Sequence, residues 1–344
     1  MRGLIHSASL SRYAEVAERA GLSPARMLRE FRLPPRSLRQ PDLLVPIDSV
    51  RALLETSAAR SGVESFGLLM AEARHLSDMG ALGLLVREQP TLRLALEALT
   101  HHANRINESL HLVIEENRNI VVLREELLTG GSRPVRQATE LAIGVVFRIM
   151  RFFLGAHWLP RRVCFAHAAP WDLSVYKRLF GGRVEFGQPF NGIVSTARDL
   201  TASNPNADPG IERLARRLLN TDPTRPAPDL STRVRHLVVA LIGTGSCRIE
   251  TVALQLGIGR RTLHRRLRRE GTTFSRIVGA VQRELAARYV QDRRRALAEL
   301  SVALGFATPS AFSRWYRREF GETALAQRHR KPPIVGGAGP RPGR

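Results

Sequence analysis

The sequence predicts two domains of different fold class: an N-terminal mixed α/β (α+β) domain, and a C-terminal all-α domain with two helix-turn-helix units joined by a linker helix. Three observations lead to this prediction. Strand-like patterns occur only in the first 219 residues. A proline-rich stretch, "NTDPTRPAPDLS", interrupts the chain near residues 220–230. Beyond it, a helical pattern occurs twice, at an offset of 48 residues.

The domain boundaries follow from these breaks. At 344 residues the chain is long enough for two domains that each bury a core. We expect the first domain at 1–219, an extended linker at 220–230 and the second domain at 231–330. The stretch 331–344 is rich in Gly and Pro and is expected to be disordered.

Helices outnumber strands in the first domain. Residues 1–22 read as an amphipathic helix with a glycine stop, and "IDSVRALLETSAARSG" and "TLRLALEALTHHANRI" repeat apolar residues at helical spacing. Two β-rich runs around residues 116–119 predict a hairpin, whose acidic pairs at 115–116 and 125–126 are expected to be solvated. The long apolar helix "RQATELAIGVVFRIMRFFLG" follows. Short strands at "RRVCFAH" and "RVEFG" then enclose the helix "WDLSVYKRLFG".

The second domain reads as a series of short helices. "STRVRHLVVALIG" begins it, and "IETVALQLG" and "RRTLHRRLRREG" follow with a break at 257–259. A longer helix, "FSRIVGAVQRELAARYVQD", carries an apolar stripe. "ALAELSVALG" and "PSAFSRWYRREFG" then repeat the earlier pair.

Each copy of the repeat has the form of a helix-turn-helix. A short helix ends at Leu-Gly-apolar, a brief polar turn follows, and a second helix begins. Gly257 and Gly305 occupy the position where the first helix must end in a left-handed conformation, which glycine adopts without a Cβ penalty. Ile258 and Phe306 are expected to pack in the corner between the two helices.

The second copy contains five of the twenty aromatic residues of the chain. Four of them recur at helical spacing and form one stripe, which predicts burial. These four are Phe312, Trp315, Tyr316 and Phe320. A protein that binds single-stranded nucleic acid needs exposed rings on which bases stack. The spacing therefore argues against single-strand binding.

Basic charge is concentrated in the second domain. The chain carries 53 Lys+Arg against 31 Asp+Glu, a net charge of +22, and only two of the cations are lysines. Residues 225–344 contribute +16 and residues 1–224 contribute +6. This distribution is typical of a module that binds a polyanion. Charge alone does not distinguish nucleic acid from an anionic membrane or an acidic protein.

The sequence offers no catalytic or metal-binding constellation. It contains neither His-Glu-x-x-His nor Gly-x-Ser-x-Gly, and its ten histidines are scattered. Cys164 and Cys247 are too few for a thiolate zinc site, and the Cys164–His167 spacing has no second pair. No apolar run approaches the roughly 20 residues that cross a bilayer. We therefore expect a soluble, cytoplasmic protein that is not an enzyme and uses no metal or cofactor.

Two helix-turn-helix units in one chain suit double-stranded DNA. The second helix of such a unit fits the major groove, where its first residues reach the base edges. Two units on one face of a duplex must lie about 34 Å apart, and the helix between them is a rigid spacer of about 27 Å. Arginine can read guanine through two hydrogen bonds, and further arginines would neutralise phosphates.

The segments "VALQLGIGRRTLHRRL" and "LGFATPSAFSRWYRREFG" resemble the paired helix-turn-helix domain of AraC/XylS-type transcription regulators. The resemblance covers about residues 231–328. In the first domain, "FGLLMAEARHLSDMGALGLLVREQPTLRLALEAL" and "RLFGGRVEFGQPFNGI" are similar to the arabinose-binding-type effector domain of this family. Two features depart from the family. Gly259 stands where serine is usual, which removes an N-cap hydroxyl. After Gly321 the family usually has Pro and then an aromatic-Arg pair, whereas this chain has Glu322-Thr323-Ala324 and then Gln327-Arg328, which weakens the expected cap of the last helix.

The resemblance implies DNA contacts on both recognition helices. The expected base contacts are Arg260, Arg261, His264 and Arg265 in the first unit and Pro309, Ser310, Ser313 and Arg314 in the second. The expected phosphate contacts are Arg268, Arg269, Arg317 and Arg318. Nothing in the pattern separates effector-binding residues from core residues.

The resemblance also implies a function and its partners. It implies a transcription regulator, more often an activator, that binds promoter DNA under the control of a small-molecule effector. Double-stranded promoter DNA, the effector, RNA polymerase and a second copy of the chain are the implied partners, with no membrane, in a cytoplasmic and nucleoid-associated location. The alternative is a basic nucleic-acid-binding or interaction protein without ligand-responsive regulation. The salt dependence of binding to duplex DNA tests the DNA-binding interpretation.

Overall fold

The structure is a computed structural model, and its described residues form two compact units. The described residues are 3–127, 135–221, 229–244, 247–290 and 296–329. One unit extends to Thr232, and the other begins at Arg233. The expected disordered stretch at 331–344 and residues 222–228 of the expected linker lie outside the described residues.

The first unit combines helices with strands, as the sequence predicts. Its helices are α1 (Tyr13–Arg19), α2 (Pro24–Glu30), α3 (Ile47–Ser61), α4 (Phe66–Ala73), α5 (Gly80–Arg87), α6 (Leu92–Ile106), α7 (Arg136–Leu154), α8 (Ser174–Phe180) and α9 (Pro209–Thr221). Its strands are β1 (Leu4–His6), β2 (Leu44–Pro46), β3 (Leu110–Asn117), β4 (Ile120–Leu127), β5 (Arg162–Phe165), β6 (Val184–Phe186) and β7 (Asn191–Thr196). The predicted mixed α/β (α+β) class is confirmed.

Five strands form one sheet in the order β3-β4-β7-β5-β6. Strands β5 and β6 are parallel, and the other neighbours are antiparallel. The predicted hairpin is confirmed, because β3 and β4 pair along their whole length and Arg118 in the turn has a φ of 52°. Strands β1 and β2 form a separate antiparallel ribbon.

The buried apolar residues of the first unit form two clusters. The larger cluster draws on the five-stranded sheet and on α5, α6, α7 and α8. The smaller cluster draws on α1–α4 and the ribbon, and it also contains Leu141 of α7. Phe147 of the same helix belongs to the larger cluster. Helix α7 therefore joins the two clusters, because its apolar residues lie on more than one face.

Helix α7 also carries a buried carboxylate. Glu140 Oε1 accepts hydrogen bonds from the Tyr176 hydroxyl (2.5 Å) and from Arg136 Nε (2.7 Å). His167 Nε2 lies 3.4 Å from the same oxygen. Burial raises the pKa of Glu140 to about 7 in spite of the two donors, and burial lowers the pKa of His167 to about 4. The ionisation of this cluster is therefore coupled to folding.

The expectation of one helix at residues 1–22 is wrong. Strand β1 and a short 3₁₀ turn precede α1, which covers Tyr13–Arg19 alone. Ile5 pairs with Val45 in the ribbon, so the first apolar residues pack as a strand. The predicted glycine stop is nevertheless present, since Gly21 has a φ of 74°.

The expectation that both acidic pairs of the hairpin are solvated is also wrong. Glu125 is fully buried, and its Oε2 accepts a hydrogen bond from Asn191 Nδ2 (3.2 Å). Strand β4 lies between β3 and β7, and Glu125 follows Val121 and Leu123 on its core-facing side. Strand β7, near the centre of the sheet, is missing from the sequence prediction.

The described residues of the second unit contain helices and no strand, which confirms the predicted all-α class. These helices are α10 (Leu230–Leu241), whose first three residues still belong to the first unit, α11 (Ile249–Gln255), α12 (Arg260–Arg269), α13 (Phe274–Tyr289), α14 (Leu297–Ala303), α15 (Pro309–Phe320) and α16 (Ala324–His329). Helix α9 extends to Thr221 and α10 begins at Leu230, so the expected linker is helical at both of its ends.

Candidate DNA-binding surface

The two helix-turn-helix units, α11–α12 and α14–α15, have equivalent hydrogen bonds at their turns. After α11, the N–H of Ile258 donates to the carbonyl of Ala253 (3.1 Å). After α14, the N–H of Phe306 donates to the carbonyl of Ser301 (2.8 Å). Each bond satisfies a carbonyl that the end of a helix would otherwise leave open. The predicted repeat at an offset of 48 residues is confirmed.

A glycine in left-handed conformation ends the first helix of each unit. Gly257 has a φ of 65° and Gly305 a φ of 75°, as the sequence predicts. The two sites differ in their surroundings. A Cβ atom on Gly305 would lie 2.7 Å from the carbonyl oxygen of Ile242, whereas a Cβ on Gly257 would have no neighbour within 4 Å.

The two recognition helices, α12 and α15, begin differently. Gly259 precedes α12 in an extended conformation and offers no side chain as a cap, as expected. Thr308 precedes α15, and its hydroxyl accepts a hydrogen bond from the N–H of Ala311 (3.1 Å). Pro309 then occupies the first helical position, which its fixed φ suits. This cap is missing from the sequence prediction, although Thr-Pro at a helix start is its signal.

Three residues of the aromatic stripe of α15 are buried, as the spacing predicts, and the fourth, Phe320, is half-buried. Phe312 and Tyr316 are almost fully buried and Trp315 is 8% exposed. The ring of Phe306, in the turn, lies 5.1 Å from the ring of Trp315. Phe320 stacks on Tyr316 at 4.4 Å. The contact with Phe306 fixes α15 against the turn, whereas the Phe320–Tyr316 contact lies within α15. The buried rings lack the exposure that base stacking requires.

Helix α12 has one buried face and one cationic face. Leu263 and Leu267 are fully buried. The exposed residues include every side chain of α12 that the resemblance assigns to DNA. These are Arg260, Arg261, His264, Arg265, Arg268 and Arg269. Arg260 forms an ion pair with Glu250 (2.9 Å), but both side chains are more than half exposed, so the pair contributes little stability.

Helix α15 presents a less cationic surface. All of its assigned residues are exposed as well. These are Pro309, Ser310, Ser313, Arg314, Arg317 and Arg318. The hydroxyl of Ser313 donates to the carbonyl of Pro309 (3.0 Å) and keeps its lone pairs available as acceptors. Arg314 and Arg317 form no ion pair with the residues that the structure describes.

Helix α13 connects the two helix-turn-helix units and packs against the second of them, α14–α15. It has 16 residues, a length of about 24 Å. Gln282 Nε2 donates to the carbonyl of Leu304 at the end of α14 (3.0 Å). Arg283 pairs with Glu319 of α15 (3.0 Å). The predicted linker helix is therefore confirmed, and side-chain contacts join it to the second helix-turn-helix unit.

The last helix, α16, has a cap that the resemblance did not lead us to expect. The hydroxyl of Thr323 accepts a hydrogen bond from the N–H of Ala326 (3.1 Å). The N–H of Gln327 donates to the carbonyl of Thr323 (3.0 Å). Threonine thus replaces the cap that the departure from the family pattern was expected to weaken.

Arg266 is a further exposed cation of α12. It was not assigned a role from the sequence, because the arginine-rich segment offers no pattern that separates it from its neighbours.

Across the described residues, no helix is both long and apolar enough to cross a membrane, and no group of three metal-binding side chains occurs. Both thiols have raised pKa values, about 11, because both are withdrawn from water.

Comparison with known proteins identifies both parts of the chain. The family model for the N-terminal arabinose-binding domain of AraC transcription regulators matches residues 21–204. A helix-turn-helix domain model matches residues 252–330. The first model alone covers more than half of the chain.

Two curated relatives match nearly the whole chain. The HTH-type transcriptional regulator VirS of Mycobacterium tuberculosis (strain ATCC 25618 / H37Rv) is 30% identical over 322 residues, which are 93% of this chain and 95% of that protein. The ornithine utilization regulator of Pseudomonas aeruginosa is 27% identical over 308 residues, 88% and 89% of the two chains. The transcriptional activator NphR of a Rhodococcus species is 29% identical over 92 residues, 27% of this chain and 28% of that protein.

The repeated turn, the buried aromatic stripe and the exposed arginines agree with these matches, and the resemblance seen in the sequence is confirmed. The protein is therefore a DNA-binding transcription regulator of the AraC family, with an effector domain of the arabinose-binding type and a C-terminal helix-turn-helix domain.

Proposed function

We propose that the protein binds specific double-stranded promoter sequences by inserting α12 and α15 into the major groove. One observation carries this proposal: each helix buries its apolar residues and exposes cationic or hydrogen-bonding side chains along the opposite face. A helix of this kind can contact base edges near its start and phosphates near its end.

We assign the base contacts to the first six residues of each helix. They are Arg260, Arg261, His264 and Arg265 on α12, and Pro309, Ser310, Ser313 and Arg314 on α15. Arginine suits guanine through a bidentate hydrogen bond, whereas serine accepts more than one base. The phosphate contacts are Arg268, Arg269, Arg317 and Arg318. They fix the register of the protein on the duplex and carry no sequence information themselves.

We further propose that the two domains have different functions. Residues 1–219 bind a small-molecule effector or mediate formation of a homodimer, and residues 231–330 bind DNA.

The protein activates transcription by recruiting RNA polymerase. Activation rather than repression is supported by the name of NphR, a transcriptional activator. It performs no catalytic step and acts in the cytoplasm, on the nucleoid. Light scattering of the purified chain tests the dimer.

Duplexes selected by the full-length protein from a random library test the DNA proposal. We expect Arg265→Ala to weaken binding to the selected sequence by about 1–3 kcal/mol and to relax the preference at one base position. Arg317→Ala should weaken binding to every duplex alike. Fluorescence anisotropy with selected and scrambled duplexes measures both effects.

Arg19→Ala is the matched control, since its side chain in the first unit is 74% exposed and should leave DNA affinity unchanged. A base-selective loss in Arg317→Ala would contradict the phosphate assignment. Equal losses on all duplexes in Arg265→Ala would contradict the base assignment. Failure of the wild type to select any sequence would refute the proposal as a whole.

A further inference from the structure

A cavity of about 100 Å³ lies inside the first unit, where its two hydrophobic clusters meet. Helices α3, α6 and α7 supply much of its apolar wall, for example through Leu54, Leu99 and Val145. A cavity of about 150 Å³ can hold benzene, so this smaller cavity has room for an organic molecule of a few carbon atoms. One part of the wall is charged.

Two buried arginines, Arg51 and Arg74, line the cavity, at 7% and 9% exposure. A buried guanidinium needs hydrogen-bond acceptors and a compensating negative charge. Arg74 donates to two neutral acceptors, the carbonyls of Ser9 and Ser11. Burial lowers the pKa of Arg74 to about 10, so the guanidinium remains positively charged at neutral pH.

Asp78 also lines the cavity, but its carboxylate is held by other groups. Its Oδ2 accepts hydrogen bonds from Arg12 Nε (3.0 Å) and from the N–H of His75 (2.9 Å). Burial by itself would raise the pKa of Asp78, but these donors outweigh burial and lower it. Asp78 also stabilises the charge of Arg74, and Arg51 Nη1 lies 3.9 Å from the exposed Asp48 Oδ1. Because Arg12 and Arg74 share the single carboxylate of Asp78, the wall keeps positive charge near Arg74.

The hydroxyl of Ser9 is a second, independent indication of a ligand. Ser9 lines the cavity and is 8% exposed, and its Oγ has no hydrogen-bond partner among the described residues. The bond from Arg74 to the Ser9 carbonyl brings the guanidinium next to this residue. A buried hydroxyl without a partner has a free-energy cost that a ligand oxygen would remove.

We propose that this cavity is the effector site and that it takes a small organic molecule with one carboxylate and an apolar body. The carboxylate accepts hydrogen bonds from Arg74 and Ser9, with Arg51 adding positive charge, and the apolar body fills the space between α3, α6 and α7. The proposal rests on the proposed function, which requires an effector. The wall belongs to both clusters, so the ligand adds contacts between the N-terminal helices and the sheet-bearing part of the unit.

Binding of carboxylates to the full-length protein without DNA tests this proposal. The probes are short straight-chain acids from acetate to pentanoate, each compared with its primary amide, by titration calorimetry and thermal shift. We expect at least one acid to bind and to raise Tm, at least about tenfold more tightly than its amide. Failure of every acid, or equal binding by the amides, would overturn the proposal.

Three variants locate the binding. Ala142→Phe fills the cavity without touching its charges and should abolish binding of the acid while the protein remains folded. Ser9→Ala and Arg74→Gln should each weaken binding of the acid about tenfold or more. Arg74→Gln also removes donors to two carbonyls, so Ser9→Ala and Ala142→Phe keep the test valid if that variant does not fold.

Arg19→Gln is the matched control, because it removes the same charge at an exposed position. Unchanged affinity in Ala142→Phe would place the acid elsewhere and overturn the proposal. No DNA is present in these titrations, so their failure is distinguishable from failure of the DNA-binding proposal, which is measured with duplexes.

Discussion

Glu140 links the stability of the first unit to pH. Its pKa is raised to about 7 in the folded protein, from the ordinary value of 4.5. Between these values the folded state holds a proton that the unfolded chain has released, so the free energy of unfolding falls as pH rises through the window. His167 acts in the opposite direction: its pKa is lowered to about 4, so stability is lost as pH falls from 6.5 towards 4.

Glu140→Gln isolates the carboxylate from the histidine. Glutamine keeps an acceptor for Tyr176 and does not ionise, so the free energy of unfolding of the variant, relative to wild type, should rise by about 1–3 kcal/mol between pH 5 and pH 8. Thermal unfolding at several pH values measures this difference. The exposed Glu18→Gln is the control and should show a flat profile. A flat profile for Glu140→Gln would contradict the assignment.

The burial of individual charged residues could not be predicted from the sequence. The DNA-contact candidates are exposed arginines in a recognisable repeat, so their positions follow from the helical pattern. Arg74 and Glu140 are buried through partners far along the chain, 65 residues for the Arg74–Ser9 bond and 36 for Glu140–Tyr176. The sequence does not show whether a charged side chain is surrounded by solvent or is buried against a polar group from a distant part of the chain.

At the scale of elements, the two equivalent glycines allow a matched comparison. Gly257→Ala adds only the cost of a positive φ, about 1–2 kcal/mol in free energy of unfolding. Gly305→Ala adds the same cost and also places a Cβ 2.7 Å from the carbonyl oxygen of Ile242. We therefore expect Gly305→Ala to be the more destabilising variant. Urea unfolding of both variants measures the order, and equal losses would contradict the close approach.

The helices of both units were largely predictable, and the strands less so. Helical periodicity extends over ten or more residues in α3, α6, α7 and α13, which makes the pattern distinct. Strands β1 and β2 have three residues each, too few to show alternation. Strand β7 is buried along most of its length, so its sequence "NGIVST" does not alternate between apolar and polar residues. Its place in the sheet depends on pairing with distant strands.

At the scale of the whole molecule, the concentration of basic charge predicts a strong salt dependence of DNA binding. The logarithm of the affinity should fall linearly with the logarithm of salt concentration, at about 0.9 per phosphate neutralised. Removing two of the proposed phosphate contacts together, Arg317→Ala with Arg318→Ala, should reduce this slope by about 2. Anisotropy titrations across a salt series measure the slope, and an unchanged slope in the double variant would contradict the assignment.

The two helix-turn-helix units are similar in backbone and different in chemistry. Helix α12 begins without a side-chain cap and presents mainly arginine, while α15 begins at a threonine cap and presents serine and proline at its start. Both belong to one chain and are joined head to tail through α13, so no twofold axis relates them. The two segments of DNA that they are proposed to contact need not be inverted copies of each other. A single chain can therefore recognise an asymmetric sequence and bind it in one orientation, which gives the complex a defined upstream and downstream side.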